Sequence, residues 1–503
     1  MGEGGLTGPL VFAILSAAFG SSFLFGYNIG VINAPQTVMG LWIRKVKCSR
    51  IGNNSADESW GQWCPELDTQ DKQEHMFENG TLNLIWSVVA SIFCLGGLIG
   101  ALTTSFFVNR FGRKGTLLIN NVSGIIAAAL LSFPSLAGSY EMLIAGRFVA
   151  GLNAGLNSGV PPMYFTEISP SSLRGAIGSV HQLFITIAIF VSQILGLPYI
   201  LGNSYGWPIL MGLTIVPCVV QLLTLPFCQE SPKFLYLSKG DERGANDALV
   251  RLRKRTDIRD EMDEMKLEHE QMKNEPTVTF RDLFVNPFLR KITIIAVMLM
   301  VMQQLSGINA VMFYSTSIFR SAGLTPDQAA YATIGMGGIN VLMTFVSVIL
   351  VEKAGRKTLL LIGFSGMMIT TVLLTVFMLL YKSGVVPDGE NTQGWAAWAS
   401  LSCVILFVIF FATGPGSIPW FLVSELFSQG PRAAATTIAV GVNWLCNLIV
   451  ALAFPFIQAA IKEYTFIIFA VLLALFVTYT WFKVPETKGK RLEEIQAELR
   501  QNL

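Results

Sequence analysis

The chain has 503 residues, of which 52% are hydrophobic and 14% charged, with a net charge of +2. Soluble domains carry about 25% charged residues, so a mostly aqueous surface is excluded, and nothing in the composition points to nucleic acid. The charges gather in particular joints, so their placement says more than their sum.

Apolar runs near twenty residues long, separated by short polar joints, read as membrane-spanning helices. No Lys or Arg precedes the first run, which is therefore expected to be a span and not a removable signal peptide. The spans are predicted at 10–32, 83–108, 116–136, 140–166, 174–199 and 206–227, then at 289–320, 328–351, 358–381, 394–427, 432–458 and 464–484. The fold class is an all-α membrane protein of twelve transmembrane helices in two parallel six-helix halves. Residues 1–228 form the first half, 229–288 a helical linker, 289–484 the second half and 485–503 a tail.

Charge orients the spans. Arg110, Arg113 and Lys114 follow span two, Lys353, Arg356 and Lys357 follow span eight, and the linker carries Arg251, Arg253, Lys254, Arg255 and Arg259. Positive joints favour the cytoplasmic side, so both termini and the linker are expected there. The loop at about 33–82 is then extracellular, with Asn53 in an N-glycosylation pattern and Cys48 and Cys64 placed where a disulfide is allowed. The other five cysteines lie in or beside apolar runs and read as small buried hydrophobes. Mixed charges at helical spacing in the linker suggest short solvated helices.

An internal repeat organises the chain. Arg110-Phe-Gly-Arg-Lys-Gly115 recurs as Lys353-Ala-Gly-Arg-Lys-Thr358, Glu167 with Arg174 recurs as Glu425 with Arg432, and Glu230-Ser-Pro-Lys233 recurs around Pro485 to Lys488. Parallel repeats of this kind build transporters that bind substrate between the halves near the midplane. Amides in such a place donate and accept hydrogen bonds without carrying charge. In hydrocarbon they must face a cavity or another helix. Span five carries Gln182, Ile185, Ile189 and Gln193 along one stripe. Span seven gathers Gln303, Gln304 and Asn309 around Ser306 and Gly307, a place where a loosened turn would bring them together. Span eleven carries Asn443, Trp444 and Asn447, and span ten carries Trp420 beside Gly414, Pro415, Gly416 and Pro419, a segment expected to bend. His181 reads as a packed histidine.

These motifs, with Phe25 to Gln36, Gln303 to Ala310, Gly414 to Trp420 and Pro485 to Gly489, resemble the sugar porter family of the major facilitator superfamily, and within it the animal facilitative glucose transporters. The resemblance covers about 9–495. It implies a multi-pass plasma-membrane protein that carries glucose or a related hexose down its gradient, with membrane lipid around it and no obligatory protein partner, cofactor or metal. Sugar contacts carry over onto Gln182, Gln303, Gln304, Asn309, Asn340, Trp420 and Asn443. Asn340 stands out only through the resemblance. A cytoplasmic gate is expected from Arg110, Arg113, Arg147, Glu167, Arg174 and Glu230 in the first half and Glu352, Arg356, Glu425 and Arg432 in the second, held by partly hydrated ion pairs.

Asn28 stands where proton-linked sugar porters carry an acid, and an amide does not titrate, so uniport is expected over proton symport. A non-transporting sugar sensor would be expected to have a longer tail, and a membrane enzyme would need a nucleophile or metal constellation that the spans lack. The chain departs from the family pattern at Ala412, where many glucose-carrying members have Glu, at Gln229, usually Pro, and at Lys233, usually Arg.

Overall fold

The computed structural model describes residues 5–51, 80–274, 279–384, 394–490 and 492–501, and among them every regular element is helical. Asn53 and Cys64 lie outside the described residues; Cys48 is disulfide-bonded. The first half consists of α1 (Gly8–Gly30), α2 (Gly80–Leu102), α3 (Thr104–Ser132), α4 (Tyr140–Ile168), α5 (Arg174–Leu195) and α6 (Trp207–Phe227). The second consists of α7 in two pieces, α7a (Pro287–Leu305) and α7b (Ile308–Ser321), then α8 (Pro326–Ala354) and α9 (Arg356–Ser383). It continues with α10a (Trp395–Thr413), α10b (Ile418–Leu426), α11 (Gln429–Ile461) and α12 (Thr465–Lys483).

Among the described residues, eleven helices are long and apolar enough to cross a membrane, and α4 falls short of that apolarity. It bears Arg147, Asn153, Asn157 and Glu167, all buried among neighbouring helices. A span surrounded by protein tolerates such groups when they find partners. Asn120 of α3 donates to Asn153 O and Asn157 Oδ1, each at 2.9 Å, and Asn157 donates to Asn153 Oδ1 at 2.8 Å. Small residues let α4 approach α2: a Cβ on Gly151 would meet Phe93 O at 2.2 Å, and one on Gly155 would meet Gly97 O at 2.3 Å.

The joint between the second and third spans differs from expectation. The helix does not stop at 108 and resume at 116; α3 begins at Thr104 and is interrupted at Gly112, with φ 79° and ψ −176°. Gly355, its counterpart in the repeat, separates α8 from α9 with φ 90° and ψ 166°. Each half thus breaks its helix on one glycine in a conformation that a side chain resists. Residues 104–111 correspond by the repeat to the end of α8.

The linker is not merely solvated. Its helices Glu242–Arg253 and Arg259–Asn274 bury Ala245, Ala248, Leu249, Leu252, Met262 and Met265. Arg253 Nη1 donates to Ile168 O at 2.8 Å, tying the linker to the end of α4, and Lys233 Nζ lies 2.8 Å from Glu268 Oε2. The tail forms a further helix, Leu492–Gln501, whose Leu499 O accepts from Lys291 Nζ at 2.6 Å and whose Arg500 stacks 4.6 Å from the Phe288 ring.

Candidate functional site

The helix breaks in α7 and α10 place the polar groups of the central site. Gly307 has φ 96°, so α7a ends at Leu305 and α7b starts in a new direction at Ile308. The break brings Asn309 back onto Gln304, whose Oε1 accepts from Asn309 Nδ2. Gln304 Nε2 donates to Asn443 Oδ1 at 2.9 Å, and Asn443 Nδ2 donates to Gln303 Oε1 at 2.9 Å. Gln303 Nε2 completes the chain on Pro415 O and Gly416 O, at 3.1 and 3.0 Å, in the break between α10a and α10b. Four amides from α7 and α11 thus form one connected network, anchored on carbonyls that the α10 break leaves free.

Aromatic rings from both halves meet beside this network. Phe25 of α1 lies 6.4 Å from Trp420 and 5.4 Å from Trp444; His181 of α5 lies 5.3 Å from Trp420; Phe93 of α2 lies 5.4 Å from Trp444. Trp444 Nε1 crosses the seam to donate to Ser158 Oγ of α4 at 2.9 Å. Gln182 is buried next to His181, one turn from Gly178, whose Cβ position lies 2.7 Å from Phe421 of α10b. Ile185 and Ile189 are buried where α5 meets α1: the Cβ position of Gly26 is 2.3 Å from Ile185 O, and that of Gly30 is 3.1 Å from Ile189 Cα. Asn340 is buried one turn from Gly337, whose Cβ position lies 2.2 Å from Gln193 Oε1.

Buried polar atoms almost always find a partner. Among the described residues, Trp420 Nε1, Asn447 Oδ1, Asn28 Oδ1, His181 Nε2 and both polar atoms of Gln193 have none. His181 uses only Nδ1, 2.7 Å from Ser22 Oγ. Unmet donors and acceptors thus include Trp420 and His181, whose rings meet across the halves, and Gln193 against Gly337 of α8, an arrangement suited to a neutral ligand rich in hydroxyls and C–H faces.

The face bearing the two Gly-Arg-Lys joints, here the basic face, is built twice from the same plan. In the first half, Arg113 Nη2 donates to Glu167 Oε1 at 2.7 Å and Ser231 Oγ to Glu167 Oε2 at 2.5 Å. In the second, Arg356 Nη2 donates to Glu425 Oε1 at 3.1 Å and Thr487 Oγ1 to Glu425 Oε2 at 2.8 Å. Glu230 accepts from the backbone N–H of Arg113 and Lys114 at 3.0 and 3.1 Å; Glu486 accepts from Arg356 and Lys357 at 2.9 and 3.1 Å. Each carboxylate occupies the N-terminus of the helix after the glycine break, where backbone N–H groups and the helix dipole favour negative charge. Burial nevertheless pushes the Glu230 carboxyl above its usual range, against the lowering effect of the Ser231 and Lys114 N–H groups and of Arg113.

Contacts on this face join the halves. Arg432 Nη1 lies 3.7 Å from Glu167 Oε1, and Ala176 N donates to Glu352 Oε1 at 3.0 Å. The Arg113–Glu167 pair itself is dry, with side chains 2% and 0% exposed, unlike the partly hydrated pairs expected from the sequence. Three expected members stand apart. Arg110 is exposed, and Arg174 makes no ion pair among the described residues. Arg147 belongs to the end of α4 away from the basic face, twenty residues from Glu167 and so about 30 Å along the helix. There its Nη1 donates to Asn28 O at 2.8 Å, and it stacks 4.4 Å from the Phe93 ring. Ser231 and Thr487 were not singled out from the sequence; the signal was available, because a hydroxyl follows the repeated Glu in both halves. Phe93 carried no such mark.

Comparison with known proteins agrees with this architecture. The chain is 43% identical over 496 residues to the solute carrier family 2, facilitated glucose transporter member 1 of Gallus gallus, spanning 99% of this chain and 94% of the relative. The fold matches the major facilitator superfamily proton:xylose symporter XylE bound to 6-bromo-6-deoxy-D-glucose, with TM-score 0.79, 26% identity and coverage of 97% and 99%. Against the inward open conformation of the xylose transporter XylE from E. coli the TM-score is 0.68, at the same identity and coverage. Residues 13–499 match the sugar (and other) transporter family, and the chain belongs to it.

Proposed function

We propose that the chain is a facilitative hexose uniporter, with glucose as its sugar, working by alternating access across the plasma membrane with both termini in the cytoplasm. The observation that carries this reading is the set of unpartnered polar atoms at Trp420, Asn447 and Gln193 beside the Gln303–Gln304–Asn309–Asn443 network. Glucose supplies a hydroxyl for each unmet atom and C–H faces for the aromatic rings. Where it displaces an amide–amide bond, one hydrogen bond replaces another, so the net gain stays near 1 kcal/mol each. Affinity near millimolar, about 4 kcal/mol, follows and permits release. The family resemblance and the relative named as a facilitated glucose transporter point the same way.

Alternation follows from where the chain is broken. With the basic face closed, sugar exchanges with the other side as α7b and α10b move on the breaks at Gly307 and at 414–417; α7b already meets the first half there, Asn33 Nδ2 donating to Met312 O at 2.8 Å. Opening the basic face separates Arg432 from Glu167 and Ala176 from Glu352. The repeated Arg–Glu–hydroxyl clusters within each half stay intact, so no buried charge is left without a partner. Lys and Arg concentrated at this face favour its placement in the cytoplasm. Asn28 supports uniport: its amide donates to Leu24 O at 3.0 Å, and it offers no proton to couple.

Counterflow in liposomes tests the reading. Vesicles loaded with unlabelled D-glucose should transiently accumulate labelled D-glucose and ignore L-glucose. Absence of counterflow, or equal handling of the two enantiomers, overturns it.

A further inference from the structure

A second pair of unpartnered groups lies on the seam between the amide site and the ion pairs. The levels can be read along α4. Ser158 Oγ receives Trp444 Nε1 at 2.9 Å, and Glu167, nine residues further and about 14 Å along the helix, meets Arg432. Between them is Gly159. The nearest atoms to a Cβ placed there are Thr104 Cγ2 at 3.5 Å, Thr104 Oγ1 at 3.7 Å and Thr436 Cγ2 at 3.7 Å, so a methyl group fits between the two threonines without a clash. One turn nearer the outer side, the corresponding position on Gly155 is filled by Gly97 O at 2.3 Å.

Thr104 belongs to the first half and Thr436 to α11 of the second. Their neighbours touch across the seam, Ser105 N donating to Thr437 Oγ1 at 3.0 Å. The two residues are 1% and 5% exposed, and neither Oγ1 has a hydrogen-bond partner among the described residues. Threonines inside helices usually return their hydroxyl to the carbonyl four residues back. Thr344, Thr371 and Thr413 do so here, at 2.7, 2.6 and 2.8 Å. Thr436 does not, and Gly100 O, the carbonyl four residues before Thr104, accepts Thr103 Oγ1 at 2.7 Å. Two buried hydroxyls, one from each half, are therefore held unpaired around a glycine gap directly between the amide site and the gate.

We propose that Thr104 and Thr436 form an inner subsite that binds hydroxyls of the sugar after it leaves the amide network and as the Glu167–Arg432 contact opens. The proposal rests on the hexose-uniport reading. A hydroxyl on each side of the opening seam lets the sugar keep partners while it sheds those at Gln303, Gln304 and Asn443. The subsite strengthens binding only in the state open to the basic face. A passive carrier has equal ratios of maximal rate to half-saturation in the two directions, so loss of the subsite raises half-saturation and maximal rate together on that side.

The test uses the full-length protein in liposomes of one orientation, with labelled D-glucose and zero-trans entry and exit measured separately. In Thr436→Val, which keeps the shape and removes the hydroxyl, half-saturation on the basic face relative to the opposite face should rise about fivefold, the loss expected for one hydrogen bond. Thr436→Ser should restore the wild-type ratio. Thr104→Val should shift it the same way and serves if Thr436→Val does not fold. An unchanged ratio in the valine variants, or equal shifts for Val and Ser, overturns the subsite while wild-type transport upholds the uniport reading. Wild-type liposomes that carry no glucose overturn both.

Discussion

Arg432 Nη1 lies 3.7 Å from Glu167 Oε1, while Arg113 Nη2 holds the same oxygen at 2.7 Å. The short bond stays inside the first half and the long one crosses between halves. Removing one partner of a buried pair costs about 3–5 kcal/mol, because the other charge is left uncompensated. Arg113→Ala should therefore lower stability by about that much, seen as a fall in Tm in detergent. Arg432→Ala leaves Glu167 paired with Arg113 and Ser231, so it should cost less than Arg113→Ala and shift the protein towards opening on the basic face. Equal Tm losses for the two variants would contradict this division of labour.

Gln304 joins Asn309 to Asn443 and so links α7b to α11. Gln304→Ala removes both links and a sugar-binding amide. Glucose uptake should fall at least about tenfold, the equivalent of 1.4 kcal/mol, with surface expression retained. Uptake near the wild-type rate at normal expression would remove Gln304 from the site.

Gly112 and Gly355 occupy matching positions with positive φ, and a Cβ on either would stand 2.5 Å from a carboxylate oxygen, that of Glu230 or Glu486. Alanine at either position should destabilise by about 1–3 kcal/mol from the backbone alone, plus the displaced carboxylate. Thermal unfolding of the two variants should show similar losses. A neutral substitution at one position would mean that the two halves do not share this device.

Asn28 sits where Arg147 Nη1 binds its carbonyl at 2.8 Å, and among the described residues no carboxylate pairs with that buried guanidinium. Asn28→Asp adds a titratable group next to it. Uptake by the variant should then vary with pH between 5 and 8, whereas uptake by the parent stays flat over the range. Identical pH profiles would place Asn28 outside the events that control transport.

The spans were legible because lipid demands long apolar runs with internally satisfied backbones. The repeat was legible because Glu167 with Arg174 and Glu425 with Arg432 keep the same spacing. The break in α7 could be read from Ser306-Gly307, and its consequence, Asn309 folded back on Gln304, is what the structure shows. The turn at Gly112 was harder to place, because the residues before it remain helical and the change of direction is confined to a single glycine. Arg147 could not be placed by its type alone. Its partners are a backbone carbonyl and an aromatic face, neither of which leaves a charge pattern in the sequence. Thr104 and Thr436 were hidden for a related reason: threonine is common in spans, and only the missing hydrogen bonds set these two apart.

Uniport is tested most directly by the level that glucose reaches in liposomes under an imposed pH gradient. With labelled D-glucose at equal concentration on both sides and the outside made acidic, the internal concentration should stay at the external value throughout. Accumulation above that value, abolished when the gradient is collapsed, would show coupling to protons and contradict the account.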